Sequence, residues 1–161
     1  AIEAWRVAAA NSGGPTALVL TRQSVPLLDR SQGSSAHELK RGAYTILEPG
    51  RSPDVILIGT GSEVQLALEA GKKLQEQGVA ARVISMPSWE LFDAQPDDYK
   101  ESLLPLTVWR RVSVEAGTTI GWERYVGMLG VAIGINDFGA SAPGIWSGPS
   151  SATPRCFACT R

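Results

Sequence analysis

Asp54-Val55-Ile56-Leu57-Ile58-Gly59, followed at once by Thr60-Gly61-Ser62-Glu63-Val64, is the stretch that decides the fold. The first half is a continuous apolar run, the signature of a strand buried on both faces of a sheet. The second half opens the best helix in the chain, Ser62 to Gln77. Ser62 and Gln65 stand at the spacing of a capping box. Val64, Ala67, Leu68, Gly71 and Leu74 form one apolar stripe, and Gly78 is the stop. A buried strand feeding an amphipathic helix through a glycine turn is half of a βαβ unit.

Working outward, the pattern repeats. Ala43–Leu47 reads as a short strand ended by Pro49-Gly50. Ala81–Met86 is the next strand, and Ser88 caps a helical stretch at Trp89–Phe92. Pro96-Asp97-Asp98 starts a helix running to about Leu104. Val108–Glu115 is another strand, Gly121–Met128 a short helix, and Val131–Ile135 a last strand. Strands alternating with helices at this spacing predict an α/β fold of three layers, with a mostly parallel sheet between helices.

The N-terminal part reads differently. Residues 1–11 form a helix closed by Asn11-Ser12-Gly13-Gly14, and Pro15 blocks its continuation. Thr16-Ala17-Leu18-Val19-Leu20-Thr21 is expected to be a strand, so helix and strand together look like the end of another α/β unit. An apolar helix pattern beginning at residue 1, with no basic start and no apolar core of a signal peptide, is expected of a chain that begins inside a larger protein. Residues 24–41, with Ser31-Gln32-Gly33-Ser34-Ser35, read as a polar linker against which Val25, Leu27 and Leu28 pack locally. Beyond residue 144 neither helical nor strand period is present, and residues 145–161 are expected to be disordered.

Of 161 residues, 15 are basic and 16 acidic, with neither sign in a long block. That balance gives no footprint for nucleic acid and no polybasic membrane patch. No apolar run reaches the length of about 18 residues that a membrane span needs. The 2 cysteines, Cys156 and Cys159, exclude a disulfide scaffold. Their spacing suits zinc or redox chemistry, but His37 is far away and no strand or helix precedes them, so the spacing is read as incidental.

Chemistry-bearing residues are few. Arg22 stands just past the carboxyl end of the expected strand, where open α/β sheets bind ligands, and a guanidinium there suits a phosphate. Gly59-Thr60-Gly61-Ser62-Glu63-Val64 invites a dinucleotide reading, but Val64 stands at the third glycine position and Ser85-Met86 supplies no ribose-binding acid. His37 lies in the linker and is read as solvated or locally bonded. Glu115 is read as a structural carboxylate accepting loop N–H bonds. Trp89 and Trp122 are read as core anchors. No complete catalytic constellation is present, and the catalytic and metal-ligand assignments are therefore none.

Six ordered blocks carry a resemblance. They are Gly14-Pro15-Thr16-Ala17-Leu18-Val19-Leu20-Thr21-Arg22-Gln23, Gly59-Thr60-Gly61-Ser62-Glu63-Val64, Met86-Pro87-Ser88-Trp89-Glu90-Leu91-Phe92, Val114-Glu115-Ala116-Gly117, Gly121-Trp122-Glu123-Arg124-Tyr125-Val126-Gly127 and Phe138-Gly139-Ala140-Ser141-Ala142-Pro143. In this order they resemble the C-terminal region of transketolases. The resemblance implies that residues 1–23 end the pyrimidine-binding middle domain and that 42–144 form the C-terminal domain, whose first strand runs antiparallel to the rest. It implies transfer of a two-carbon ketol unit between sugar phosphates, in the pentose phosphate pathway or the Calvin cycle, in the cytoplasm or plastid stroma rather than in a secreted protein. It also implies thiamine diphosphate, a divalent cation (Mg or Ca) and a homodimer in the intact enzyme. Arg22 matches the arginine that holds the sugar's phosphate. The family's glutamate, histidines and diphosphate–metal motif do not occur in this sequence, so the chain alone is expected to bind no cofactor and to be inactive. An alternative is a non-catalytic dimerisation or effector-binding α/β module. The text after Pro143 departs from the family, which continues into a last helix; its loss is expected to bare part of the domain's apolar face. At Asn136-Asp137, where plant-type members carry an acidic-basic pair, little consequence is expected.

Overall fold

A computed structural model describes residues 1–21, 24–28 and 33–136. Its centre is a five-stranded sheet in the order β1-β3-β2-β4-β5, with β1 at Tyr44–Leu47, β2 at Val55–Gly59, β3 at Ala81–Ser85, β4 at Arg111–Val114 and β5 at Val131–Ile133. β1 runs antiparallel to β3; the pairs β2–β3, β2–β4 and β4–β5 are parallel. The helices are α1 (Ile2–Ala10), α2 (Val64–Glu76), α3 (Trp89–Asp93), α4 (Asp97–Leu103) and α5 (Glu123–Val126).

The alternation of side chains along the strands divides the core in two. Ile56, Ile58 and Ile84 face α3, α4 and α5, in one cluster with Met86, Phe92, Leu103, Trp122, Tyr125 and Val126. Leu57 and Val83 face α2, in a second cluster with Ile46, Leu47, Val64, Ala67 and Leu68. The stripe read from the sequence is the buried face of α2: Val64, Ala67, Leu68 and Gly71 are buried and Leu74 packs beside them. Gly71 is there because a Cβ would lie 2.4 Å from Val83 Cγ2, so only glycine lets the helix approach this closely. Farther along the same sheet face, Val131 and Ile133 remain about half exposed, at 55% and 51%, and no described element covers them.

Several expectations need correction. Residues 16–21 are not a strand, and Val19 is 94% exposed. A strand takes its stability from packing and pairing with its neighbours, which an apolar pattern alone does not supply. α1 ends at Asn11 in an extended conformation, φ −76° and ψ 106°. The Asn11 side chain makes the turn, accepting from Gly13 N and donating to Gly14 O and Thr16 Oγ1.

The linker is in part structured. Ala36–Arg41 forms a 3₁₀ helix, with Ser35 accepting from the N–H of His37 and Gly42 closing it at φ 80°. Ser34 N donates to Thr45 O at 2.9 Å, so this stretch lies along the outer edge of β1 and caps it. Leu28 packs on the second cluster as expected, whereas Leu27 is fully exposed.

The capping box does not form. Gly61–Glu63 winds as a 3₁₀ turn, Glu63 N bonding Thr60 O at 3.1 Å, and α2 starts only at Val64 with no side-chain cap. Ser62 Oγ donates instead to Glu63 Oε1 at 2.7 Å. β4, α5 and β5 are each shorter than the sequence patterns suggest, because their ends turn into the loops that carry the bonds described next.

Candidate functional site

Parallel strands end together, and their carboxyl ends gather the chemistry-bearing loops. β2 ends at Gly59-Thr60-Gly61, β3 at Met86-Pro87-Ser88, β4 at Glu115-Ala116-Gly117 and β5 at Gly134-Ile135-Asn136. The order reverses between β2 and β4, the position at which open α/β sheets form a crevice.

The Gly59 turn is tight for packing. A Cβ on Gly59 would lie 2.8 Å from Val64 Cα, and Gly61 holds φ 56°. β3 ends at Ser85, beside the Gly59 end of β2. At the end of β4, Glu115 Oε2 accepts a 2.7 Å hydrogen bond from Trp122 Nε1. Its partner is therefore an indole rather than the loop N–H groups expected. Trp122 is 1% exposed and meets Trp89 edge to face at 5.1 Å. Both tryptophans are core anchors. Their block continues through Tyr125, whose hydroxyl donates to Asp93 Oδ1 at 3.0 Å, while Arg124 holds the other oxygen of Asp93. Burial, then the bond to Asp93, pushes the Tyr125 phenol far above its ordinary range.

Asn136 does more than expected of a loop residue. Its Oδ1 accepts from Thr119 N at 2.9 Å, Thr119 Oγ1 at 3.0 Å and Thr118 Oγ1 at 3.4 Å, tying the loop after β5 to the loop after β4. His37 is bonded, but not locally: Nδ1 lies 3.1 Å from Glu3 Oε2, across 34 positions of sequence. Arg22 lies outside the described residues, as do Cys156, Cys159, the Phe138–Pro143 block and the tail.

The described loops thus form a braced scaffold. Glu115 is engaged by Trp122, and His37 meets Glu3 of α1. Among the described residues no group of three or more His, Cys, Asp or Glu side chains could hold a metal ion.

Two arginines that the sequence did not single out prove structurally central. Arg111 reaches from β4 to four backbone carbonyls, those of Leu104, Pro105, Val108 and Tyr125, at 2.8 to 3.0 Å. Desolvation pulls its pKa below the usual guanidinium value. Arg82 grips Glu48 with two nitrogens and donates to Ser102 O and Leu103 O at the end of α4. Nothing in a single arginine within a strand pattern signals such a role.

A family model described as "Transketolase-like TK C-terminal domain" matches residues 42–145. The chain belongs to the transketolase family. A transketolase of Aquifex aeolicus is 48% identical over 141 residues, covering 88% of this chain and 20% of that protein. One from Staphylococcus epidermidis is also 48% identical over 141 residues, 88% of this chain and 21% of its own length. Among solved structures, a transketolase from Leishmania mexicana superposes with TM-score 0.77 at 41% identity, over 87% of this chain and 20% of its own. A Pichia stipitis transketolase in complex with sedoheptulose-7-phosphate gives TM-score 0.75 at 40% identity, over 86% of this chain and 19% of that one. The chain thus spans about a fifth of the length of the curated relatives it matches. The family's mixed sheet, with one antiparallel strand, is the sheet seen here. No helix among the described residues is long and apolar enough to cross a membrane.

Proposed function

We propose that this chain is the C-terminal part of a transketolase that moves a two-carbon ketol unit between sugar phosphates, and that Arg22 holds the substrate's phosphate. The observation that carries the reading is the 48% identity to transketolases over 141 residues. Arg22 falls in the block Gly14–Gln23, in which it matches the family's phosphate-binding arginine. An arginine suits this role because its planar fork donates two parallel bonds to one anion. Thiamine diphosphate, when bound in the intact enzyme, supplies the carbanion chemistry. Residues elsewhere in the intact protein hold it and its cation, and residues 42–144 serve as a folded support rather than a source of catalytic groups. Residues 1–23 end the middle domain and 24–41 connect the two. The intact protein works as a homodimer in the cytoplasm or plastid stroma, and the chain alone is inactive.

In the full-length protein, Arg22→Ala is expected to raise KM for phosphorylated sugars by about tenfold or more, the scale of a lost charge-assisted hydrogen bond. An unchanged KM sinks the phosphate role. Ketol transfer by the purified 161-residue chain would overturn its assignment as an inactive part.

A further inference from the structure

The two edges of the sheet differ. At one, β1 is capped by the bond from Ser34 N to Thr45 O. At the other, β5 pairs with β4 on its inner side, and no strand among the described residues pairs with its outer side. Sheets protect an open edge with charge, proline or a covering segment. The stretch Val126–Ile135, which contains β5, carries no charged residue and no proline.

The open edge has a defined pairing surface. Glu115 N donates to Ile133 O at 3.0 Å, so the N–H and C=O of Ile133 point toward β4. Successive residues of a strand direct these groups to opposite sides, so those of Ala132, and of Gly134 beyond it, point away from β4. Val131 and Ile133 stand beside Val112 and Val114, on the face where Val112 packs against the second core cluster. Both are about half exposed. Ala132 lies on the other face, against the first cluster.

We propose that β5 is a self-pairing edge: a second copy of this chain docks on it antiparallel, about a two-fold axis at Ala132, and joins two five-stranded sheets into one. Ala132 of each copy then exchanges both backbone bonds with Ala132 of the other, and Gly134 N of each faces Gly130 O of the other. Val131 stands opposite Ile133 of the second copy, twice, in the non-hydrogen-bonded position where side chains come closest. A two-fold contact needs a surface that complements itself, and an uncharged strand of small and β-branched residues is such a surface. A second copy brings the matching strand, whereas residues 145–161 carry no strand period. The pairing is short and belongs to the weak class of interfaces. It does not rest on the sugar-phosphate chemistry proposed above.

Sedimentation equilibrium of the 161-residue chain, loaded up to about 1 mM, tests the pairing. The mass should rise with concentration from 17.1 kDa toward twice that value. Ala132→Pro removes an outward N–H at no cost in bonds to β4, and should weaken association about tenfold or more. Val131→Glu and Ile133→Lys should each weaken it about threefold or more. Their equimolar mixture should regain it, because the antiparallel register sets the new carboxylate of one copy opposite the new ammonium of the other. A monomer at every concentration overturns the proposal. So does association that these variants leave unchanged, which places the contact elsewhere, and so does a mixture no tighter than the single variants, which refutes the register. Amide exchange reads the other occupant: protection of the Ala132 and Gly134 amides that does not vary with concentration means that a segment of the same chain covers the edge, and overturns the proposal as well. Circular dichroism checks that each variant folds; should Ala132→Pro not fold, the charge pair decides the test alone.

Discussion

Replacing Arg111 with Met keeps the length of the side-chain stem and removes every donor. The guanidinium binds Val108 O through Nε at 2.8 Å, Tyr125 O through Nη1 at 2.8 Å, and Leu104 O and Pro105 O through Nη2 at 3.0 and 2.8 Å. These carbonyls belong to the end of α4, the crossover into β4, and α5, so one side chain closes three pieces of backbone around the first core cluster. At about 1 kcal/mol net per hydrogen bond, four bonds amount to roughly 4 kcal/mol. Two effects reduce this: water reaches some of the freed carbonyls, and the desolvation that lowers the Arg111 pKa is relieved. The expected loss is about 2–4 kcal/mol, a large share of the roughly 5–15 kcal/mol typical of a domain. Urea unfolding followed by tryptophan fluorescence measures it. With an m-value of about 1.5 kcal/mol/M, the midpoint should fall by about 1.3–2.7 M. Arg111→Lys should recover less than half, since one ammonium cannot span four carbonyls in a fixed fork. A midpoint for Arg111→Met within about 0.3 M of wild type would refute the clamp.

Ser113 is 1% exposed and its hydroxyl has no hydrogen-bond partner among the described residues. Ser113→Ala should therefore be neutral or stabilise by about 1 kcal/mol in the same unfolding assay, because it removes a buried polar atom at no cost in bonds. Gly42 holds φ 80°, and a Cβ there would lie 2.2 Å from Phe92 N; Gly42→Ala should destabilise by about 2 kcal/mol or more, and expose Trp89 to quenching as the 3₁₀ helix and α3 separate. The bonds from Arg51 and then from the Ala80 N–H hold the Asp54 carboxyl below its ordinary value of 3.8. A carboxyl with a depressed folded pKa adds stability above the unfolded value, and this is lost as pH falls through the lower folded one. Asp54→Asn should flatten the fall in stability below about pH 4, and an acid limb unchanged in slope would count against the assignment.

The strands Asp54–Gly59 and Ala81–Met86 and the helix of Ser62–Gln77 were legible because their period is set by local geometry: side chains alternate on a strand and recur every 3.6 residues on a helix. Ser88 was legible as a cap for the same reason, and Leu91 N bonds its hydroxyl at 3.3 Å. Trp122 and Trp89 could be assigned to the core from size and apolarity alone. Arg22 was identified by residue type and its place after an apolar run, and the structure describes its neighbour Thr21 but not Arg22 itself.

What the residue order determined, then, is the α/β alternation, the apolar faces and, through six ordered blocks, the family. The partners of polar groups were settled only by the tertiary structure. Glu3 and His37 meet across 34 positions, Arg82 and Glu48 also across 34, and Tyr99 and Ala43 across 56. No local period encodes such meetings. Tertiary structure likewise decided that Thr16–Thr21 forms no strand and leaves Val19 exposed while Ile56, Leu57 and Ile58 are buried, although both are apolar runs. A strand is stabilised by its neighbours, and β2 lies between β3 and β4. Hydrophobic periodicity is a property of a segment, whereas hydrogen-bond satisfaction belongs to the whole fold.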